Sequence, residues 1–293
     1  MSGEANELTE RERQVQEQLN DAYLEALDHV KVVLQEEIDS RVISQRVYER
    51  AFKPNEVFPK RSVRPDLKVS HFSRTVAEGY GLTGEERDTI VQLGITFNEY
   101  CNVVDDVLDD DVAEGHEDEA LFISHMLVPA LVRLLARIGT DAVDRWAGHV
   151  TRMGEAVLLE EANDPSPETY LEVVDKTGSL WGNATGVAAL AAGEDETGIE
   201  RAERLGTLFF KIEEFRLDTL QEAKGDEFDY EEDDPWNAAA LFPEDELMAQ
   251  IEEWRAEFED LAGDLRDDQA EALRQFIAFD VDDTDRFELL DEV

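Results

Sequence analysis

The segment ETYLEVVDKTGSLWGNATGVAALAAG, residues 168–193, decides the fold of this chain. Its apolar residues recur at helical spacing, which predicts a helix over about 167–192. The chain carries 72 Asp and Glu residues among 293, and so acidic a composition does not produce this segment by chance. It is therefore the most specific stretch of the sequence.

Helical spacing continues on both sides of this segment, and neither strand alternation nor an internal repeat is visible. No linker divides the chain, so we expect a flexible acidic N-terminus over 1–14 and one all-helical domain over 15–293. That domain would be a large bundle of about ten or more helices. The other predicted helices cover about 15–38, 41–52, 66–79, 83–112, 119–138, 141–162, 196–220 and 245–261, with a last pair from 264 to 290.

The composition is extreme in charge but ordinary in hydrophobic content. The formal net charge is −45, which disfavours nucleic acid and anionic membranes as partners. The acids run through the whole chain, which favours adaptation to molar salt over an acidic partner-binding tail. At about 1 M salt the Debye length is ~3 Å, so surface repulsion is screened. Hydrophobic residues make up 42%, enough for a core.

The sequence also indicates where the protein resides. Cys101 is the single cysteine, so no internal disulfide forms. No apolar run of membrane-spanning length stands out, so we expect no stable membrane insertion. The polar N-terminus is unlike a signal peptide. We expect a soluble cytoplasmic protein.

An acidic cluster, VVDDVLDDD over residues 103–111, closes a predicted apolar helix. Asp105 and Asp109 stand one turn apart on one face, with Asp106 beside them. Carboxylates are the ligands that Mg²⁺ prefers. However, a chain this acidic matches such a three-acid pattern about four times by chance when Asp and Glu both count. A solvated acidic face is the alternative interpretation of the pattern alone.

Together, four segments resemble the trans-polyprenyl diphosphate synthase family, in the family's order. KRSVRP (60–65) is similar to a basic GKRxRP motif, and VVDDVLDDD to the first aspartate-rich motif. Residues 168–193 closely resemble the segment around the family's Lys-Thr-Gly. LGTLFFKIEEFRLD (205–218) falls where the second aspartate-rich motif belongs. The resemblance implies the class I isoprenoid synthase fold, a helical bundle around a central cavity.

The resemblance also implies a catalytic machinery that uses Mg²⁺. The metal neutralises the diphosphate that leaves an allylic substrate. Lys176 and Thr177 would contact the same diphosphate; a helix-surface lysine is the alternative interpretation of Lys176. The implied metal ligands are Asp105, Asp106, Asp109, Glu213, Glu214 and Asp218, and the implied catalytic residues are Asp105, Asp106, Asp109 and Lys176.

The second substrate, isopentenyl diphosphate, would be held by the basic loop. Lys60, Arg61 and Arg64 form a burst of positive charge in an acidic chain, and forked hydrogen bonds suit diphosphate. A surface patch is the alternative. By the family's chain-length rule, Tyr100 would limit products to C15 or C20 as the floor of the substrate tunnel. It could equally be an ordinary core tyrosine.

Three departures from the family pattern affect phosphate binding. The Arg-Arg-Gly after the first motif is replaced by DDDVAEG, and most of the lysines after the second motif are replaced by acids. In the second motif, Leu217 occupies the third acid position and Arg216 adds a competing cation. We therefore expect a prenyltransferase that extends an allylic diphosphate with isopentenyl diphosphate, as a homodimer or a heterodimer with a related synthase. The alternatives are an impaired regulatory paralogue and an enzyme with altered prenyl diphosphate chemistry.

Overall fold

The computed structural model describes residues 10–53, 55–59, 64–224 and 235–277. Within these ranges every regular element is a helix, so the prediction of an all-α fold is confirmed. The helices are α1 Glu10–Glu37, α2 Arg41–Phe52, α3 Arg64–Gly79, α4 Gly84–Leu108, α5 Glu117–Ile138, α6 Thr140–Ala162, α7 Pro167–Thr177, α8 Ser179–Ala192, α9 Glu196–Lys224, α10 Ala238–Leu241, α11 Glu244–Ala262 and α12 Asp267–Ile277.

Two compact units divide the chain. Among the described residues, unit 1 comprises those up to Glu78 and Leu82–Val143, and unit 2 comprises Gly79–Gly81 and those from Asp144 onward. The first unit thus contains α1, α2, α4 and α5 with nearly all of α3, and the second contains α7–α12 with most of α6. That the chain forms one domain over 15–293 stays a prediction.

Unit 1 is built around α4, which packs on α1, α2 and α5. Ile90, Leu93, Ile95 and Phe97 on α4 are at most 1% exposed, so this helix is apolar on nearly all sides, as expected of a core helix. Gly94 lets α3 approach closely, because a Cβ at this position would lie 2.4 Å from the Ser73 hydroxyl oxygen. The core of unit 1 therefore requires a small residue at this crossing.

Unit 2 is built around α9, which packs against α7, α8, α10, α11 and α12. The crossing with α8 is the tightest: a Cβ on Gly206 would lie 2.2 Å from the carbonyl oxygen of Trp181. Aromatic rings fill the rest of the core, with Phe209 packed against Trp181 at 4.7 Å between ring centroids and Phe215 against Trp254 at the same spacing. Such pairs stabilise a core beyond their buried area.

Two helix boundaries differ from the prediction at positions that matter for the site. The helix predicted over 83–112 ends at Leu108, and Asp110 adopts the left-handed conformation with φ of 57°. Consecutive acids are unfavourable at a helix C-terminus, where the macrodipole is negative. The helix predicted over 167–192 is interrupted at Gly178, whose N–H is bonded to the carbonyls of Lys176 and Val174. The motif around Lys176 therefore lies at a break between α7 and α8.

One helix contradicts the expectation that no apolar run has membrane-spanning length. An 18-residue window of α5 has a mean hydropathy of 1.7, although 39% of that window is buried inside the protein. Four leucines of this helix are fully buried in the core of unit 1: Leu127, Leu131, Leu134 and Leu135. Packing on the core explains the buried part of this helix, whereas Leu121, Phe122 and Val132 on the same helix are exposed.

Candidate functional site

The first acidic set, Asp105, Asp106 and Asp109, lies where α4 ends. Asp105 and Asp109 are exposed and Asp106 is half-buried. Asp109 caps the helix, and its N–H donates to the carbonyl of Asp105 over 2.9 Å. The chain then turns at Asp110, so that three neighbouring acids follow one another at a negative helix terminus. A cation at this end of α4 would relieve both sources of repulsion.

The donor chemistry of this set fits a divalent cation that shares its coordination with a substrate. Mg²⁺ typically takes one or two protein carboxylates and completes its shell with water and phosphate oxygens. Among the described residues, no three His, Cys, Asp or Glu side chains lie close enough together to hold a metal ion, so Asp105, Asp106 and Asp109 do not form such a group by themselves. Accessible carboxylates one helical turn apart suit the shared mode, in which substrate phosphates bring the remaining ligands.

Tyr100 and Cys101 precede this set by one turn. The Tyr100 ring stacks on Phe97 with 6.3 Å between centroids. Burial raises the pKa of the Tyr100 hydroxyl, and burial followed by the nearby Asp105 carboxylate raises the pKa of the Cys101 thiol. Both groups are therefore neutral at physiological pH and provide an apolar surface. The role of Tyr100 as a tunnel floor stays a prediction.

The predicted basic site for isopentenyl diphosphate falls mostly outside the described residues. Lys60 and Arg61 lie outside them, and Arg64 begins α3 but its side chain is likewise outside the description. The assignment of these three residues to the second substrate stays a prediction from the sequence.

Lys176 and Thr177 lie in the last turn of α7. The Lys176 ammonium donates to Glu155 on α6 over 2.7 Å and lies 3.8 Å from Glu172. Its hydrogen bond and charge lower the pKa of Glu155. Both carboxylate partners are more than half exposed, with side-chain exposures of 54% and 57%. The Lys176 side chain itself is only 18% exposed, so these ion pairs are partly shielded from water at the lysine end.

The three acids of the second set, Glu213, Glu214 and Asp218, have different surroundings on α9. The Arg216 guanidinium donates to Glu213 over 3.0 Å and to the carbonyl of Ile277 over 2.6 Å. Asp218 is only 7% exposed. Its Oδ2 atom accepts from the Tyr170 hydroxyl over 2.5 Å and from the N–H of Ala238 over 2.7 Å. Glu214 is half-buried on the same helix.

A charged network around Asp175 was missed at the sequence level. Asp175 accepts from Lys211 over 2.8 Å, from Arg152 over 3.1 Å and from Arg204 over 3.4 Å. Burial alone would raise the pKa of Asp175, but the hydrogen bond and charge of Lys211, with the two arginines, lower it overall. Basic residues are scarce in this chain, which has only 27, and three of them contact this one carboxylate. This scarcity was the signal in the sequence that could have drawn attention to Lys211, Arg152 and Arg204.

Lys211 is the most buried member of this network, with 6% of its surface exposed. Its ammonium lies 4.7 Å from the centre of the Trp254 ring, a cation–π distance. Because Asp175 directly precedes Lys176, the network anchors the end of α7 to α6 and α9. It therefore positions the Lys-Thr-Gly turn.

Comparison with known proteins gives a consistent fold and a short sequence match. No family model matches the chain. The nonaprenyl diphosphate synthase of Mycobacterium tuberculosis is 34% identical over 99 residues, which are 32% of this chain and 30% of that enzyme. The sequence match thus spans about a third of either protein.

Solved structures match over nearly the whole chain. A geranylgeranyl pyrophosphate synthetase from Geoglobus acetivorans has a TM-score of 0.69 at 15% identity, covering 94% of this chain and 98% of that one. A decaprenyl diphosphate synthase from Rhodobacter capsulatus has a TM-score of 0.67 at 13% identity, covering 90% and 97%. A polyprenyl synthase from Caulobacter crescentus, complexed with calcium and isoprenyl diphosphate, has a TM-score of 0.62 at 14% identity, covering 90% and 96%.

These likenesses define the class of fold. The chain has the all-helical isoprenoid synthase fold, as the four sequence segments predicted. Its resemblance to the trans-polyprenyl diphosphate synthases is confirmed by the structural neighbours and by the shorter match to a curated synthase.

Proposed function

We propose that this protein is a prenyltransferase that condenses isopentenyl diphosphate with an allylic diphosphate. The observation that carries the proposal is the first acidic set: in a fold shared with prenyl diphosphate synthases, Asp105 and Asp109 are exposed together at the end of α4. The product would be a C15 to C20 prenyl diphosphate if Tyr100 limits the tunnel. We assign the reaction to the cytoplasm.

Asp105, Asp106 and Asp109 would hold Mg²⁺, which when bound neutralises the diphosphate as it leaves. Lys176 would exchange Glu155 for a diphosphate oxygen, and Thr177 would lie beside it. The allylic C–O bond breaks with its electron pair passing to the diphosphate. The double bond of isopentenyl diphosphate then attacks the allylic carbon to form the new C–C bond, and the resulting cation gives a proton to the released diphosphate. An apolar surface around Tyr100 and Cys101 would exclude water from the cation.

A single assay tests this proposal. Purified protein is incubated in high-salt buffer with Mg²⁺, isopentenyl diphosphate and an allylic diphosphate, and both prenyl products and released pyrophosphate are measured. We expect chain extension. Pyrophosphate release without extension would instead identify an enzyme with altered chemistry. No reaction with any allylic substrate would contradict catalysis and favour the second candidate.

The second candidate function is a weakly active or inactive subunit that pairs with a related synthase. The α5 surface favours it: Leu121, Phe122 and Val132 are 46%, 68% and 38% exposed. No acid occurs from Ala120 to Thr140, although about one residue in four of the chain is acidic. A salt-adapted surface that lacks acids and exposes large apolar side chains is typical of a protein contact.

This apolar surface can be tested by light scattering after size exclusion. We expect a dimer, either of this chain or with a co-purifying synthase, and loss of the dimer in Phe122→Asp. The matched change Leu158→Asp, at an exposed apolar residue of α6, should retain it. A monomeric wild-type protein in high salt would contradict the assignment of this surface.

We further propose that the acidic surface adapts the protein to molar salt. The Debye length is about 3 Å at 1 M salt and about 10 Å at 0.1 M salt. Repulsion between the surface acids therefore reaches farther in dilute buffer. Unfolding monitored by circular dichroism should therefore occur on dialysis into dilute buffer and reverse when KCl is restored. Full stability in dilute buffer would contradict this explanation of the charge.

A further inference from the structure

We infer that Glu213 and Asp218 of the second acidic set bind no divalent cation in this protein, because Arg216 acts as an internal cation beside Glu213 and because Tyr170 and Ala238 donate to the Oδ2 atom of the buried Asp218. The inference rests on the proposed function only for the expectation that metal binds at the first set. Its own basis is the hydrogen bonding around α9, within unit 2.

Arg216 already supplies positive charge where a metal would bind Glu213. Its Nη1 atom is shared between a Glu213 oxygen at 3.0 Å and the Ile277 carbonyl at 2.6 Å. The side chains of Arg216 and Glu213 are only 15% and 17% exposed, so water screens the pair incompletely. A divalent ion on Glu213 would lie within a few ångströms of the guanidinium and be repelled by it.

Arg216 also contacts α12. Its guanidinium donates to the carbonyl of Ile277 on that helix over 2.6 Å. Arg216 therefore joins α9 to α12, and this second hydrogen bond holds the guanidinium beside Glu213.

Burial and two accepted hydrogen bonds make Asp218 a poor ligand for a metal ion. A carboxylate that accepts two hydrogen bonds is stabilised in its ionised form without a cation. The Tyr170 ring that provides one donor is 3% exposed and packs against Phe215 and Phe242, with centroids 5.6 and 6.2 Å away. The hydroxyl cannot leave Asp218 unless the ring leaves this aromatic cluster.

The second donor to Asp218 comes from a third helix, α10. The N–H of Ala238 opens the short helix α10, and Asp218 accepts from it over 2.7 Å. Asp218 thus ties α7, α9 and α10 together. In this protein the position that resembles a metal ligand has a structural role, so unit 2 closes without metal.

The experiment is a titration with Mn²⁺, in high KCl and with pyrophosphate present, in which free Mn²⁺ is followed by electron paramagnetic resonance. We compare Asp105→Asn, Glu213→Gln and the matched control Glu200→Gln, an exposed acid on the same helix α9. Asp105→Asn should weaken Mn²⁺ binding by about tenfold or more. Glu213→Gln should weaken it no more than Glu200→Gln does. A larger loss in Glu213→Gln would overturn the inference.

Thermal unfolding provides a second readout that needs no activity. Tyr170→Phe removes one hydroxyl and leaves the ring in the core, so the variant should fold. Its melting temperature should fall by the same amount in EDTA and in Mn²⁺. A loss seen only with Mn²⁺ would overturn the inference, because it would mean that the metal organises this region.

The two proposals fail in different ways. If Asp105→Asn leaves Mn²⁺ binding intact, the first acidic set is not a metal site and the proposed function loses its basis. The inference about α9 would still stand if Glu213→Gln is silent and Tyr170→Phe behaves alike in EDTA and Mn²⁺.

Discussion

The two acidic sets of this protein have similar sequences and different surroundings. Asp105 and Asp109 lie at the exposed end of α4, where the chain turns away from its helix. Asp218 lies within α9, is buried, and accepts hydrogen bonds from donors on α7 and α10. In a chain with 72 acids, the spacing of carboxylates is therefore weak information. The donors around each carboxylate distinguish a candidate metal ligand from a structural anion.

The largest expected effect is on catalysis at the first set. Asp105→Asn should lower prenyl transfer by at least about 100-fold, since changes even to outer-shell residues of metal sites cost 10–100-fold in metal affinity or activity. Initial rates with radiolabelled isopentenyl diphosphate measure it. Glu200→Gln, an exposed acid outside either set, is the control and should retain the wild-type rate. Equal activity of Asp105→Asn and wild type would remove the distinction between the sets.

The next largest effect is on stability at the second set. Tyr170→Phe leaves Asp218 with one donor fewer, and a buried hydrogen bond to a charged group contributes about 1.5–3 kcal/mol. Urea unfolding in constant high salt should show a loss of this size. Tyr100→Phe is the matched control, because the Tyr100 hydroxyl makes no hydrogen bond to the described residues. A negligible loss in Tyr170→Phe would mean that Asp218 is not a structural anion.

The helices could be predicted from the sequence more reliably than these contacts. The helix predicted over 41–52 is observed at the same bounds, because its apolar spacing and the Ser40 cap are local signals. The interruption at Gly178 was missed, and this glycine lies so close to α9 that a Cβ on it would be 3.1 Å from the Thr207 side chain. Such an approach depends on tertiary packing that apolar spacing does not record.

The candidate site shows the same division. The position of Asp105 and Asp109 on one helical face follows from spacing alone, and the structure has both at the end of α4. The partners of Asp218 are 48 residues before it and 20 residues after it in the chain. No sequence pattern joins Tyr170 to Asp218, so the hydrogen-bond partners of this acid could not be predicted, and its role as a metal ligand stays a prediction.

A smaller effect concerns pH and the Asp175 network. Lys211 and two arginines lower the pKa of Asp175 below its value in the unfolded chain. Its contribution to stability is therefore complete above about pH 4 and is lost as the pH falls through the lower folded value. Asp175→Asn should cost about 1–2 kcal/mol at pH 7, a partly exposed network being weaker than a buried pair.

The pH dependence is the specific part of this prediction. The difference in unfolding free energy between Asp175→Asn and wild type should shrink as the pH falls below about 4, because protonation removes the same charge from the wild type. The exposed Glu200→Gln should show no comparable trend. A stability difference for Asp175→Asn that is constant from neutral to acid pH would show that packing, and not charge, is lost.

The smallest expected effect belongs to the first set and depends on metal. Saturating Mg²⁺ should stabilise the wild type more than Asp109→Asn, because the metal binds the folded wild type more tightly than the folded variant. Melting curves of both proteins in EDTA and in Mg²⁺ measure this difference. Tyr170→Phe, which removes a donor from Asp218, should differ from the wild type by the same amount under both conditions. If the difference for Asp109→Asn were also the same in EDTA and in Mg²⁺, its carboxylate would have a structural role like that of Asp218, and the contrast between the two sets would fail.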